Sequence, residues 1–116
     1  MAACENALVA TGFPYEIARR VDEILKRIRP VLSSCQGVRR CGAAALDLAW
    51  TACGRFDAFY EDELKPWDMA AGALLVTEAG GTVSNLDGSP FDLRWSILAG
   101  NKAMHELIGS MIRSSQ

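Results

Sequence analysis

Hydrophobic positions along the chain fall into short runs of period two, alternating with longer runs of helical period. Ala7 to Thr11 reads as a short buried strand. Gly12-Phe13-Pro14 ends it, since Pro14 biases Phe13 away from helix. Ile17, Val21, Ile24, Ile28 and Val31 then recur at helical spacing. They predict an amphipathic helix from about Tyr15 to Val31, with Pro30 closing it or sitting in its last turn. The charged residues between them form Glu16–Arg20, Asp22–Lys26 and Glu23–Arg27 pairs at i,i+4, the pattern of a solvated helix face with no chemistry of its own. Ser33 to Gly37 reads as a loop and Val38 to Arg40 as a short strand. Gly42 to Cys53 is a second helix, rich in Ala and Leu and stopped by Gly54. From Phe56 to Tyr60 the period is two, which puts Phe56, Ala58 and Tyr60 on one strand face and Asp57, Phe59 and Glu61 on the other.

The longest ordered pattern runs from Lys65 to Gly81. Pro66 suits a first helical turn, where a missing N–H costs nothing, and Gly80-Gly81 supply a stop. Trp67, Ala70, Ala71, Leu74, Val76 and Ala79 make this helix apolar almost all round, which predicts a buried element. Residues 70 to 73 are all small, so another backbone can approach closely. Gly81 to Asn85 is strand-like, Leu86 to Ser89 carries an Asp-Gly turn signal, and Trp95 to Ala99 reads as the last strand. A closing helix from about Lys102 to Arg113 turns Ala103, Met104, Leu107, Ile108 and Met111 inward. Strands alternating with helices predict an α/β layered helix–sheet fold with a mainly antiparallel or mixed sheet.

Composition narrows the functional classes. The chain has 116 residues, 50% of them hydrophobic, which allows one small domain with a proper core. A formal charge of −2 with interspersed signs argues against nucleic acid or an anionic membrane as partner. No apolar run has the length of a membrane span, and no signal-peptide layout opens the chain. Cys4, Cys35, Cys41 and Cys53 are scattered and His105 is the single histidine. Reduced thiols in a cytoplasmic protein are therefore the expectation, rather than a zinc site or a disulfide framework.

Three stretches carry candidate chemistry. Asp68, in the first turn of an apolar helix, either caps the helix or complements its dipole, or serves as a hard oxygen ligand aimed at a cation or a phosphate-bearing site. Glu61 ends its strand and is separated from Asp68 by a short acidic loop, so the two carboxylates can approach. The second helix opens at Gly42-Ala43-Ala44, where unpaired backbone N–H groups can meet a ligand oxygen. Asp47, in the middle of that helix, reads as structural or interfacial, and His105 as surface or packed.

Trp67-Asp68-Met69-Ala70-Ala71-Gly72, followed by Glu78-Ala79-Gly80-Gly81, closely resembles the second signature of the inositol monophosphatase family, the lithium-sensitive, Mg²⁺-dependent phosphatases. Ala7 to Tyr15, Val38 to Gly54, Phe91-Asp92-Leu93 and Leu98 to Asn101 resemble other family segments, so the likeness covers nearly the whole chain. It implies the C-terminal half of the family's layered sandwich. It also implies a metal-ligand role for Asp68, substrate-hydroxyl contacts from Glu61, and substrate against Gly42, Ala43 and Ala44. The family normally has Ser or Thr where this chain has Ala43, so one hydroxyl contact is missing.

The family's first signature, Asp-Pro-Ile/Leu-Asp-Gly-Thr, and its upstream Glu-Glu pair occur nowhere in the sequence. Those residues hold most of the Mg²⁺. The resemblance therefore implies residues 1–116 as one half-domain, without the metal-binding N-terminal half and inactive alone. The complete enzyme would hydrolyse inositol phosphate, histidinol phosphate or another small phosphorylated polyol or amino alcohol. The alternative is a non-catalytic module that docks on a full-length relative. Association through an exposed sheet, or a homodimer, is expected.

Overall fold

The computed structural model describes residues 5–14 and 16–114. In chain order the elements are β1 (Leu8–Thr11), a 3₁₀ turn (Ile17–Arg19), α1 (Val21–Ser34), β2 (Gly37–Arg39), α2 (Ala44–Ala52), β3 (Ala58–Glu61), α3 (Pro66–Glu78), β4 (Thr82–Ser84), β5 (Ile97–Gly100) and α4 (Lys102–Ser114). The strands form one five-stranded sheet of order β2-β1-β3-β5-β4. β1 is parallel to both β2 and β3, while β5 is antiparallel to both β3 and β4. The fold is the expected α/β layering, and the sheet is mixed.

Side chains alternate across the sheet as period-two strands require. Val9, Ala58, Tyr60 and Leu98 point to one side, where they meet Val31 of α1 and Met104, Ile108 and Ile112 of α4. Ala10, Phe59, Ile97 and Ala99 point to the other, against Leu48 of α2 and Met69, Ala73 and Val76 of α3. Phe56 precedes β3 and packs on this second side with Phe59, so it does not share a face with Ala58 and Tyr60 as the strand pattern predicted. At Gly72, α3 comes close to Leu48 of α2. A Cβ built on it would lie 2.5 Å from the Leu48 Cβ, so the small-residue stretch does admit a close neighbour.

Four further expectations need correction. The first long helix starts at Val21, after the 3₁₀ turn, and runs through Pro30 to Ser34; its predicted start at Tyr15 lies outside the described residues. Val31, fully buried, anchors the turn beyond the proline, and core packing outweighs the one hydrogen bond that Pro30 cannot donate. Secondly, α3 is not buried all round. Met69, Gly72, Ala73 and Val76 face the core, but Trp67 is 77% exposed, Leu74 62% and Leu75 50%. Thirdly, neither sheet face is bare, because a helix pair covers each. Exposed apolar side chains lie instead on the helices, Trp67, Leu74 and Leu75 on α3 and Val21, Leu25 and Leu32 on α1, and of the sheet the edge strands β2 and β4 stay open. Lastly, the charged face of α1 is not simply solvated, because Arg20 and Arg27 both reach Asp62 across the fold.

Candidate functional site

The topology gathers the candidate residues at one edge. β2, β1 and β3 run parallel, so their carboxyl ends lie together, the place where open α/β sheets accept ligands. β2 leads through Cys41-Gly42-Ala43 into α2, β1 leads into Gly12-Phe13-Pro14, and β3 ends on Glu61 just before the loop to α3. Two helix N-termini and a strand-end carboxylate thus meet at that edge.

Gly42 has φ +88°, a left-handed conformation that glycine adopts without strain. The chain can therefore turn sharply from β2 into α2. Ala43 is the N-cap residue and has no side-chain cap, so it leaves the first-turn N–H groups of α2 without that partner. The absent hydroxyl noted in the sequence is the same feature seen in the fold.

Asp68 occupies the first turn of α3, and its Oδ2 accepts the backbone N–H of Lys65 at 3.0 Å. The capping interpretation is thus satisfied by geometry, through one of the two carboxylate oxygens. Glu61 is half-buried. Burial pushes its carboxyl up to about 7, with Asp47, Asp62 and Asp68 adding repulsion and Arg40 opposing it. Those couplings place four acids around the edge, and near neutral pH Glu61 can either donate or accept a hydrogen bond.

Asp47 is more unusual than its sequence position suggested. It is 1% exposed, and neither carboxylate oxygen has a hydrogen-bond partner among the described residues. Burial raises its pKa against the pull of the Cys41 thiol, which approaches without meeting hydrogen-bond geometry, and of Arg40. No spacing in the sequence signals this. His105 is half-buried, with its Nε2 2.8 Å from the Ser84 Oγ, and burial lowers its pKa, as suits a packed histidine.

The loop after Glu61 is held by an ion-pair network that the sequence reading missed. Asp62, 3% exposed, accepts from Arg20 at 2.8 and 2.7 Å and from Arg27 at 2.6 Å. Glu23 accepts from both arginines, and Arg20 also reaches Glu63 and lies over the Trp95 ring. Burial works against ionised Asp62, but these guanidiniums hold its carboxyl below the usual range. A long-range pairing of this kind has no local sequence period.

Thr11, Gly12, Phe13, Pro14, Tyr60, Glu61 and Asp62 line a narrow cleft at the edge. The larger hollow, about 520 Å³, lies elsewhere, among Arg27, Asp87, Arg94, Trp95 and Arg113, and none of the predicted site residues borders it. Of the predicted site residues Glu61 borders the narrow cleft, at the ends of β1 and β3, whereas Asp68, Gly42, Ala43 and Ala44 are not among its lining residues; Glu61 makes this cleft the better candidate.

A model of the inositol monophosphatase family matches residues 2–116. The chain belongs to the inositol monophosphatase family. It is 43% identical to an inositol-1-monophosphatase of Caulobacter vibrioides, over 96% of this chain and 44% of that protein. A Nus factor SuhB of Pseudomonas aeruginosa is 51% identical, over 84% of this chain and 37% of that protein. The solved structure of an inositol monophosphatase from Anabaena (Nostoc) sp. superposes with a TM-score of 0.89 at 38% identity, over 96% of this chain and 46% of that one. The chain thus spans less than half the length of these relatives. Family members are generally Mg²⁺-dependent, and the donors among the described residues do not by themselves complete a magnesium site. No group of three or more His, Cys, Asp or Glu is placed to hold a metal among the described residues, and one Asp68 oxygen already accepts a hydrogen bond. No helix among the described residues is long and apolar enough to cross a membrane.

Proposed function

We propose that residues 1–116 are the C-terminal, alcohol-orienting half-domain of a Mg²⁺-dependent phosphate monoesterase that acts on inositol phosphate or a similar small phosphate ester. The supporting observation is the convergence of Glu61, Asp68 and the uncapped α2 N-terminus at one sheet edge. In this reading Glu61 exchanges hydrogen bonds with a substrate hydroxyl. The backbone N–H groups near Gly42, Ala43 and Ala44 receive another oxygen. Asp68 contributes one oxygen to a metal that needs further ligands from outside this chain. The half-domain alone is inactive, because it lacks the donors that complete a magnesium site.

Complementation tests this reading. The remaining part of a relative, supplied as a separate chain or by fusion, is expected to give Mg²⁺-dependent hydrolysis of inositol phosphate. In that enzyme Glu61→Gln changes selection among alcohols, inositol phosphate against histidinol phosphate, and leaves the Mg²⁺ requirement in place. Hydrolysis by the bare chain contradicts the proposal.

A second reading, a non-catalytic module that docks on a full-length relative, is favoured by the exposed Trp67, Leu74 and Leu75 on one helix. Co-purification with a full-length relative, without any gain of activity on complementation, distinguishes it.

A further inference from the structure

We infer that Gly12 is a positioning residue for Glu61: the absence of a side chain at position 12 is what lets the Glu61 carboxylate fold back onto the end of β1. A Cβ built on Gly12 would stand 2.5 Å from the Glu61 Cδ and 2.7 Å from its Oε2, with Oε1 closer still. All three atoms of the carboxyl group therefore occupy the space that any side chain would take. Backbone freedom does not explain this glycine, because it is absent from the residues with positive φ.

The seat has two fixed walls. On one side Thr11 pairs with Tyr60 in the parallel ladder, and its Oγ1 donates to the Tyr60 carbonyl at 2.8 Å, which locks the register one residue before Gly12 and Glu61. On the other, Asp62 is pinned by Arg20 and Arg27. The Glu61 backbone is thus held between two anchored neighbours. Its side chain has little choice but to lie over Gly12 or leave the cleft. The charged groups that act on it are Asp47 of α2, Arg40 ahead of α2, Asp62 beside it and Asp68 of α3.

The inference deepens the proposed role of Glu61 and rests on that reading for its functional meaning, but the seat itself can be tested on the bare chain. Carbon-detected NMR titration of the side-chain carboxyls would follow position 61 in the wild-type chain, Gly12→Ala, Glu61→Asp, and the double variant Gly12→Ala/Glu61→Asp. In Gly12→Ala the carboxylate is expected to move toward water, and its midpoint should fall from about 7 toward the ordinary 4.5. A drop of about one unit or more is the supporting result. The double variant, with a side chain one methylene shorter, relieves the clash, so the midpoint of its shortened carboxyl should match that of Glu61→Asp alone. Asp62 serves as the internal reference and should keep its lowered midpoint throughout. An unchanged Glu61 midpoint in Gly12→Ala overturns the inference. So does a parallel shift of Asp62, which would mean that the alanine loosens the whole loop. If Glu61→Gln leaves alcohol selection unchanged in the complemented enzyme, the functional reading of Glu61 fails, while the titration still decides the seat.

Discussion

Replacing Asp62 by Asn removes the charge at the centre of the most buried ionic network in the fold. The side chains of Asp62 and Arg27 are only 3% and 8% exposed, and their 2.6 Å contact is charge-assisted. Breaking such a pair leaves a buried guanidinium poorly compensated, which costs about 3–5 kcal/mol. Arg27 keeps Glu23 as a partner, but that carboxylate is 46% exposed and so compensates weakly. Arg20, 18% exposed and also bound to Glu23 and Glu63, loses less. The lower end of the range, about 3 kcal/mol, is therefore expected at neutral pH. For a domain of this size that corresponds to a fall of about 10 °C in Tm.

The same variant has a defined pH signature. Asp62 is held below its ordinary pKa when folded, so its contribution is present above the unfolded value of about 3.9 and is lost as pH falls through the lowered folded value. The wild-type advantage over Asp62→Asn should therefore shrink in acid. Urea unfolding at several pH values, together with Arg27→Met and the double variant Asp62→Leu/Arg27→Met, measures it. The double variant should recover much of the loss, since an apolar pair of similar volume leaves no stranded charge. A cost below about 1 kcal/mol for Asp62→Asn at neutral pH, or a gap that does not narrow in acid, refutes the reasoning.

Glu61 predicts the opposite trend. Its folded pKa of about 7 lies above the ordinary 4.5, so its ionisation opposes folding increasingly from about pH 4.5 to 7 and levels off above that. Glu61→Gln should raise stability at pH 8 relative to pH 4, read by urea midpoints against wild type. Gly72→Ala gains about 1 kcal/mol of helix propensity. Its Cβ would land 2.5 Å from the Leu48 Cβ, and overpacking costs about 1–3 kcal/mol, so a net loss of up to about 2 kcal/mol is expected by thermal unfolding. The outer side of α3 should make the bare chain self-associate and bind apolar dyes, and Leu74→Lys with Leu75→Lys should reduce both, as read by sedimentation and dye fluorescence.

How much of this was legible depends on whether the signal was local. Pro66 at the start of α3, Gly80-Gly81 after it, and the period-two run ending on Glu61 mark their elements because each works within a turn or a strand. The strand ends and helix starts that carry Glu61, Asp68 and Gly42 were therefore found. Burial was misjudged where it depends on partners distant in sequence. Trp67 and Leu74 read as core from the apolar pattern of their helix, yet they are exposed. Arg20 and Arg27 read as a solvated stripe, because the carboxylate they bind lies about forty residues on. Gly12 read only as part of a strand-ending break and Asp47 only as structural or interfacial, and neither reading shows the space or the burial found in the fold. A glycine required by a carboxylate on a neighbouring strand looks like any loop glycine, and a buried carboxylate in a helix looks like a polar surface residue.

The central claim, that Asp68 supplies one metal oxygen at an edge completed by residues outside this chain, is tested most directly by comparing two variants in the complemented enzyme. Asp68→Asn replaces an anionic ligand with a neutral amide in the first turn of α3. Glu78→Gln makes the same change of charge on the same helix, about 15 Å away by its rise per residue. Both are assayed for phosphate release from inositol phosphate over a Mg²⁺ titration, with Tm recorded for each. The account predicts that Asp68→Asn loses most turnover and needs more Mg²⁺, while Glu78→Gln keeps both near wild type. Equal behaviour of the two variants, or full activity in Asp68→Asn, would contradict it.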